Sequence, residues 1–270
     1  MERMMKRLFV TDLDGTALGG DYPVYARIPE CLAETLDLLA ENGWAWVVNT
    51  TWDVEGQWRL VLNSPLKSRP AYLIGEFGRK IAAVRDGRPV YLQPWCDNND
   101  RKIADFTRRK TVPLMNALNR AFVPEKIHFF GHLFEYTAAA GSEGLEEFAA
   151  GYPEEADFHI RIKPGSRTFS IRPAFLGKGA PLREIMKLEH LTPEQVVTAG
   201  DEPPDLEMMS PEITACPICP ANADEAVKRH AIKCGGIAAA EPFGAGIAAA
   251  LRSLCLPQRQ SARSRAGDEK

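Results

Sequence analysis

Two aspartates one residue apart, Asp12 and Asp14, close the short apolar run Leu8-Phe9-Val10-Thr11 and lead into Gly15-Thr16. Side chains at i and i+2 of a strand point the same way, so both carboxylates start out converging at the strand's carboxyl end. Open α/β sheets bind ligands at that end. Carboxylates this close raise each other's pKa unless a cation or a proton lies between them. Mg²⁺ suits such a place, because it takes one or two carboxylates together with phosphate and water. The plain alternative is a solvated turn or a calcium loop. A calcium loop carries further oxygen ligands at alternate positions and a distal Glu, whereas Ala17, Leu18, Gly19 and Gly20 follow here. The sharper reading is a carboxylate nucleophile beside an acid/base.

An apolar strand followed by Asp-x-Asp-Gly-Thr resembles the haloacid dehalogenase superfamily of aspartate-nucleophile phosphatases, and Asp12 to Thr16 match that signature in full. The resemblance implies that Asp12 attacks phosphorus to form an aspartyl-phosphate, dividing hydrolysis into two easier steps. It implies that Asp14 protonates the leaving alcohol, later takes a proton from water, and ligates the metal through its carbonyl. Gly15 permits a sharp turn, and the amides of Gly15 and Thr16 can point at phosphate oxygens.

Three further features stand in the order the resemblance requires. Thr50, in Asn49-Thr50-Thr51-Trp52, aligns with a Ser or Thr that hydrogen-bonds the transferring phosphoryl group, with Thr51 beside it as a substrate contact. Thr51 and Trp52 replace the family's common Gly-Arg, which puts a guanidinium contact there in doubt. Lys178, flanked by Gly177 and Gly179 at a helix start, can approach phosphate with little hindrance and neutralise the nucleophile and the developing charge. Asp201 and Asp205, in Gly200-Asp201-Glu202-Pro203-Pro204-Asp205, follow the strand Val196 to Ala199. The resemblance makes Asp201 a Mg²⁺ ligand alongside Asp12 and Asp14, with Asp205 ligating or orienting. Pro204 takes the place of the family's usual Asn, so Lys178 is expected to be less firmly held; a helix should still start there, since proline suits a first turn. Asn222-Ala223 resembles a family pair after the final core strand, and Asn222 reads as structural.

These residues need a parallel sheet to bring them together. Leu32, Leu36 and Leu39 recur at helical spacing and stop at Asn42-Gly43, a C-cap signal. With Leu8 to Val10 before and the apolar run Trp44 to Val48 after, they form a βαβ unit. A helix Val54 to Leu62 and a strand Ala71 to Ile74 follow. Beyond Gly75 the rhythm becomes antiparallel, with Arg85-Asp86-Gly87-Arg88 as a hairpin turn. Next come a helical stretch Asp100 to Phe122, a strand Ile127 to Phe130, a helix Glu143 to Ala150, and alternating segments His159 to Ile162 and Thr168 to Ile171. From Lys178 the βα rhythm resumes, and Thr192-Pro193-Glu194-Gln195 carries helix-capping signals.

The expected fold class is therefore α/β, a Rossmann-like three-layer parallel-sheet core with an inserted α+β cap. Residues 1–76 and 173–256 form the core, 77–172 the cap, and 257–270 a disordered tail. A cap of this size marks, by resemblance, the branch that includes Cof-type and sucrose-phosphate phosphatases and phosphomannomutases. Phe77-Gly78-Arg79-Lys80-Ile81 at the junction looks most like the sucrose-phosphatase group. Residues 77–172 carry a net charge of +3 against −6 for the remainder, which is consistent with an anionic substrate. Arg79, Lys163, Arg167 and Arg172 are the cationic candidates for contacts beyond the phosphate, and Trp95, His128, His132 and His159 are candidates to line the pocket.

Composition sets the remaining bounds. With 45% hydrophobic and 26% charged residues in 270, and a net charge of −3, the chain is ordinary for a globular protein and gives no sign of nucleic-acid affinity. No apolar run approaches a membrane span, and Leu8 to Val10 is too short for a signal peptide, so a cytoplasmic protein is expected, a monomer or homodimer. Six scattered cysteines fit reduced thiols, Cys216 and Cys219 included. The reading is a Mg²⁺-dependent phosphatase of a small phosphorylated metabolite, a sugar phosphate above all. The alternatives are a phosphomutase using the same aspartate and a non-catalytic phosphometabolite-binding protein.

Overall fold

The computed structural model describes residues 7–19, 27–152, 157–162 and 165–256. The expected tail 257–270 lies outside the described residues. The first strand, β1 (Arg7–Thr11), is buried on both faces: Phe9 packs into one apolar cluster, Leu8 and Val10 into another. A continuous apolar run of this kind is what a central parallel strand requires. Helix α1 (Glu30–Glu41) buries Leu32, Leu36 and Leu39 in the cluster that holds Phe9, and Gly43 follows it in a left-handed conformation, as the C-cap signal predicts. Strand β2 (Trp44–Asn49), helix α2 (Val54–Asn63) and strand β3 (Tyr72–Gly75) continue the parallel rhythm.

Strands β4 (Lys80–Arg85) and β5 (Arg88–Tyr91) form the expected hairpin, with both Asp86 and Gly87 at positive φ in the turn. The hairpin does not leave the first sheet. Strand β4 pairs antiparallel with β3, Leu73 opposite Ala82, so the change of rhythm at Gly75 is not a change of sheet. Helices α3 (Gln93–Phe106) and α4 (Val112–Ala121) are joined by a π-helical turn, Thr107–Thr111. The helical stretch thus begins seven residues ahead of Asp100.

A second, wholly antiparallel sheet follows. Its strands β6 (Pro124–Phe129), β7 (Phe134–Ala138), β8 (Phe158–Ile162) and β9 (Thr168–Pro173) stand in the order β6-β7-β9-β8, with helix α5 (Leu145–Gly151) between β7 and β8 in sequence. One face buries Phe134, Tyr136, Phe169 and Ile171 against Phe106, Leu114 and Leu118 of the helices. The other face is polar; His128, Glu135, Ser170 and Arg161 stand opposite one another across four strands.

Helix α6 (Gly179–Glu189) returns the chain to the first sheet, followed by β10 (Val196–Ala199), β11 (Cys216–Cys219), helix α7 (Glu225–Lys233), β12 (Ile237–Ala238) and helix α8 (Phe243–Cys255). The capping signals at Thr192 produce only a short 3₁₀ turn, Pro193–Gln195, in which Gln195 Oε1 accepts from the Thr192 amide at 2.9 Å. The finished sheet runs β12-β11-β10-β1-β2-β3-β4-β5. Sequence order moves one way from β1 through β2 and β3, then the other way from β10, so the topological switch lies between β1 and β10. Cys216 packs into the cluster on one face of this sheet and Cys219 into that on the other, so the two thiols do not converge on a common ligand.

Candidate active site

The switch point is where Asp12 leaves the sheet. Its amide makes the last bond to β10, donating to Ala199 O at 3.0 Å. The chain then wraps tightly: Leu13 O accepts from the amides of Thr16, Ala17 and Leu18, and Gly15 turns with φ of 77°. A Cβ on an L-residue disfavours that conformation, so glycine belongs there. Thr16, fully buried, donates its hydroxyl to Asp201 Oδ1 at 2.5 Å, joining the loop after β1 to the loop after β10.

Asp205 is buried and organises the second loop. Its Oδ2 accepts from the amides of Asp201 at 2.9 Å and Glu202 at 3.0 Å, and its Oδ1 accepts from Lys178 Nζ at 2.5 Å. Pro203 and Pro204 sit in a single 3₁₀ turn, Pro203–Glu207, rather than at the start of an α-helix. Lys178, just before α6, also reaches Asp12 Oδ1 at 2.8 Å. Its own carbonyl accepts from Asn49 Nδ2 at 2.9 Å, so Lys178 is held from both ends although Pro204 stands in place of Asn. Asn49 is a site residue that sequence reasoning passed over; its place at the end of β2 beside Thr50 is the signal that was available.

Charge in this cluster does not balance. Asp12, Asp201 and Asp205 are all buried and can each offer one carboxylate oxygen within 4.8 Å of the others, yet among the described residues Lys178 is the only cation that pairs with them. Burial, added to by repulsion from Asp205 and opposed by Lys178, pushes Asp12 up to about 7. Burial likewise pushes Asp201 up to about 6, against the hydrogen bond from Thr16. For Lys178 burial acts downward, but Asp12 and Asp205 outweigh it and hold the ammonium above its ordinary range. A further cation among these oxygens would restore balance.

Thr50 closes the site on the β2 side. Its amide donates to Ile74 O at 3.1 Å, while its buried hydroxyl has no partner among the described residues. A buried hydroxyl left in this state calls for a ligand oxygen. Asp14 lies on the near side, its Oδ2 accepting from Trp52 Nε1 at 2.8 Å. Trp52 was noted in the sequence only as a departure from Gly-Arg.

Residues 73–244 match the family model described as haloacid dehalogenase-like hydrolase, more than half of the chain. The protein belongs to this hydrolase family. No curated protein matches the chain. Solved structures share the hydrolase's fold. The sucrose-phosphatase of Synechocystis sp., solved with sucrose and phosphate, is 16% identical, with 93% of this chain and 98% of that one covered and a TM-score of 0.62. A phosphatase of the haloalkanoate superfamily from Bacteroides thetaiotaomicron is 14% identical, covering 93% and 96% with a TM-score of 0.59. A haloacid dehalogenase-like hydrolase from Bacillus subtilis is 14% identical, covering 92% of each chain with a TM-score of 0.58. The matched segment of the hydrolase contains Lys178, Asp201 and Asp205; Asp12 and Thr50 precede it.

The outlying candidates of the hydrolase separate into groups. Arg79 pairs with Glu76 at 2.7 Å and Asp100 at 2.8 Å, fastening the junction to α3. Arg167 is bound to Glu125 at 2.6 Å and to Ala138 O at 2.7 Å, an ion pair within the second sheet. Neither touches the acidic cluster, and their charge is spent on structural partners. Lys163 lies outside the described residues. Arg172 lies over the Phe77 ring at 4.6 Å, reaches Glu207 at 3.8 Å, and keeps a buried Nη1 without a hydrogen-bond partner among the described residues. Thr51 is half-buried beside Thr50.

Trp95 spends its indole on Gly78 O at 2.8 Å, and His132 stands 3.3 Å from Glu76 between Phe77 and Phe130, so both serve the junction. His128 faces Glu135, and His159 pairs in register with Arg172. Arg161, not singled out in the sequence, reaches Glu202 at 3.6 Å. With Arg172 it turns the polar face of the second sheet toward residues 202–207. Asn222 bridges Gly15 O and the Phe243 amide, each at 2.8 Å, bracing the loop after β1 against α8.

Proposed function

We propose that this hydrolase is a magnesium-dependent phosphomonoesterase that acts on a small phosphorylated metabolite, a sugar phosphate in particular, through an aspartyl-phosphate. The observation that carries the reading is Lys178 Nζ held between Asp12 at 2.8 Å and Asp205 at 2.5 Å, beside a buried Thr50 hydroxyl with no partner among the described residues. A nucleophile, a fixed cation and an unspent donor converge at one strand end.

Asp12 attacks phosphorus as its carboxylate, which the Lys178 ammonium favours. The Thr50 hydroxyl and the amides of the Gly15 turn are donors for the phosphoryl oxygens as charge moves onto them. Asp14 gives a proton to the leaving oxygen and recovers one from the water that attacks the aspartyl-phosphate. The residues present fit a magnesium ion: Asp12 and Asp201 would supply charged oxygens, the Asp14 carbonyl would join them as the family resemblance implies, and Asp205 braces the Asp201 and Glu202 amides. When bound, the ion supplies charge neutralisation for the phosphoryl group and for the three carboxylates.

In this reading the first sheet and its helices are the catalytic core and the segment within 77–172 is a cap, with the β4–β5 hairpin seated on the core sheet. The polar face of the cap sheet, with Arg172 and Arg161, reads the part of the substrate beyond the phosphate. The sucrose-phosphatase likeness supports a sugar phosphate as the first class to try.

The test is phosphate release from a panel of sugar and glycerate phosphates with magnesium, for the protein and for Asp12→Asn. Release that disappears in the variant supports the reading. Conversion of a hexose 1-phosphate to the 6-phosphate without release would replace it with a mutase, and binding without any turnover would replace it with a binding protein. Among the described residues no helix is long and apolar enough to cross a membrane.

A further inference from the structure

We propose that Trp52 is a positioning residue for Asp14, fixing which carboxyl oxygen carries the proton that goes to the leaving group. The proposal deepens the assignment of Asp14 as acid/base and rests on it. Trp52 Nε1 donates to Asp14 Oδ2 at 2.8 Å. An indole N–H donates and never accepts. Oδ2 therefore accepts whether Asp14 is ionised or neutral, and because the carbonyl oxygen of a carboxylic acid is a better acceptor than its hydroxyl oxygen, the bond biases the transferable proton toward Oδ1. Without that constraint the carboxyl torsion is broad and two-fold, and either oxygen could carry the proton in either direction.

The indole can impose this order because the residue behind it is fixed. Trp52 O accepts from the Glu76 amide at 3.1 Å and from Gln57 Nε2 at 3.0 Å. Gln57 is fully buried and donates also to Ile74 O at 3.1 Å, so the segment after β2 is tied to the end of β3. The ring itself packs against the cluster that holds Phe9 and Val54. A guanidinium at this position would bring a permanent charge beside the acid; the indole brings a directional donor with none.

The step balances with the indole unchanged. Asp12 forms a bond to phosphorus, the phosphorus–oxygen bond of the ester breaks, and the Asp14 Oδ1 proton passes to the departing oxygen. Asp14 is left as a carboxylate with Oδ2 still bonded to Nε1–H. In the second half, water attacks phosphorus, its proton goes to Asp14 Oδ1, and the bond to Asp12 breaks to release phosphate.

A leaving group that needs no proton isolates this role. p-Nitrophenolate departs unaided, whereas a sugar alkoxide does not. The experiment compares kcat/KM, which reports steps up to the first phosphoryl transfer, for p-nitrophenyl phosphate and a hexose phosphate in Trp52→Phe and Asp14→Asn. Trp52→Phe is expected to lose about 10- to 100-fold on the hexose phosphate and less than about threefold on p-nitrophenyl phosphate. Asp14→Asn should show the same selectivity more strongly, and the double variant should lose nothing beyond it.

Replacing Trp52 with benzothienylalanine removes only the N–H and keeps the shape, so it decides the matter if Trp52→Phe folds poorly. Equal losses on both substrates, or no loss on either, in a variant that folds would overturn the proposal while leaving the phosphatase reading intact. Absence of leaving-group selectivity in Asp14→Asn would overturn the acid/base assignment and this proposal with it. Survival of p-nitrophenyl phosphate hydrolysis in Asp12→Asn would overturn the phosphatase mechanism itself.

Discussion

Gly15 and Asp201 approach so closely that no side chain fits between them: a Cβ on Gly15 would lie 2.7 Å from Asp201 Cγ and nearer still to Oδ2. Space and conformation agree, since Gly15 also has φ of 77°. Gly15→Ala is expected to lose about 1–3 kcal/mol from backbone conformation alone. Displacing Asp201 by even an ångström should cost about 100-fold in kcat. Thermal melting and steady-state turnover check the two effects separately; a variant with wild-type turnover would show that Asp201 need not stay where the loop holds it.

Thr50 offers a case in which stability and activity should move apart. Its hydroxyl is buried without a partner among the described residues, so Thr50→Val removes an unmet polar group while nearly keeping the shape. The melting temperature should hold or rise. Activity should fall by about 100-fold if the hydroxyl serves the phosphoryl group in the transition state. Unchanged turnover would make Thr50 a packing residue.

Protons and metal should compete for the acidic cluster. Asp12 and Asp201, at about 7 and about 6, both lie above the ordinary aspartate value of 3.8. A carboxyl raised on folding contributes most stability below its unfolded pKa and loses that contribution as pH rises through the folded value. The metal-free protein should therefore lose this contribution between about pH 4 and 7. Magnesium bound there would hold the carboxylates ionised, so its stabilisation should be small at low pH and grow as pH rises through that window. Melting curves with and without magnesium across this range check it, and Asp201→Asn should flatten the magnesium effect. A stabilisation independent of pH would contradict the assignment.

The parts of the site legible in the sequence are those fixed by neighbours along the chain. Leu8 to Thr16 shows its strand, its turn and its carboxylates because each depends on residues within a few positions, and Lys178 and the Asp201 loop show themselves the same way. Contacts chosen by tertiary packing were not visible. The β4–β5 hairpin announces its turn at Asp86-Gly87, but nothing local says that β4 pairs with β3 rather than beginning a new sheet. Trp52 meets Asp14 across 38 residues, and Asn49 meets Lys178 across 129. Arg79 and Arg167 have the charge a phosphometabolite needs, yet Asp100 and Glu125 claim them, a choice made by the fold and not by residue type.

The central claim is that Asp12 becomes phosphorylated, and a rapid acid quench during turnover tests it most directly. Mass spectrometry of the digested protein should find one phosphoryl group on the peptide containing Asp12, removable by hydroxylamine and absent from Asp12→Asn. Steady wild-type turnover with no phosphorylated peptide, or a phosphoryl group on a different residue, would contradict the account.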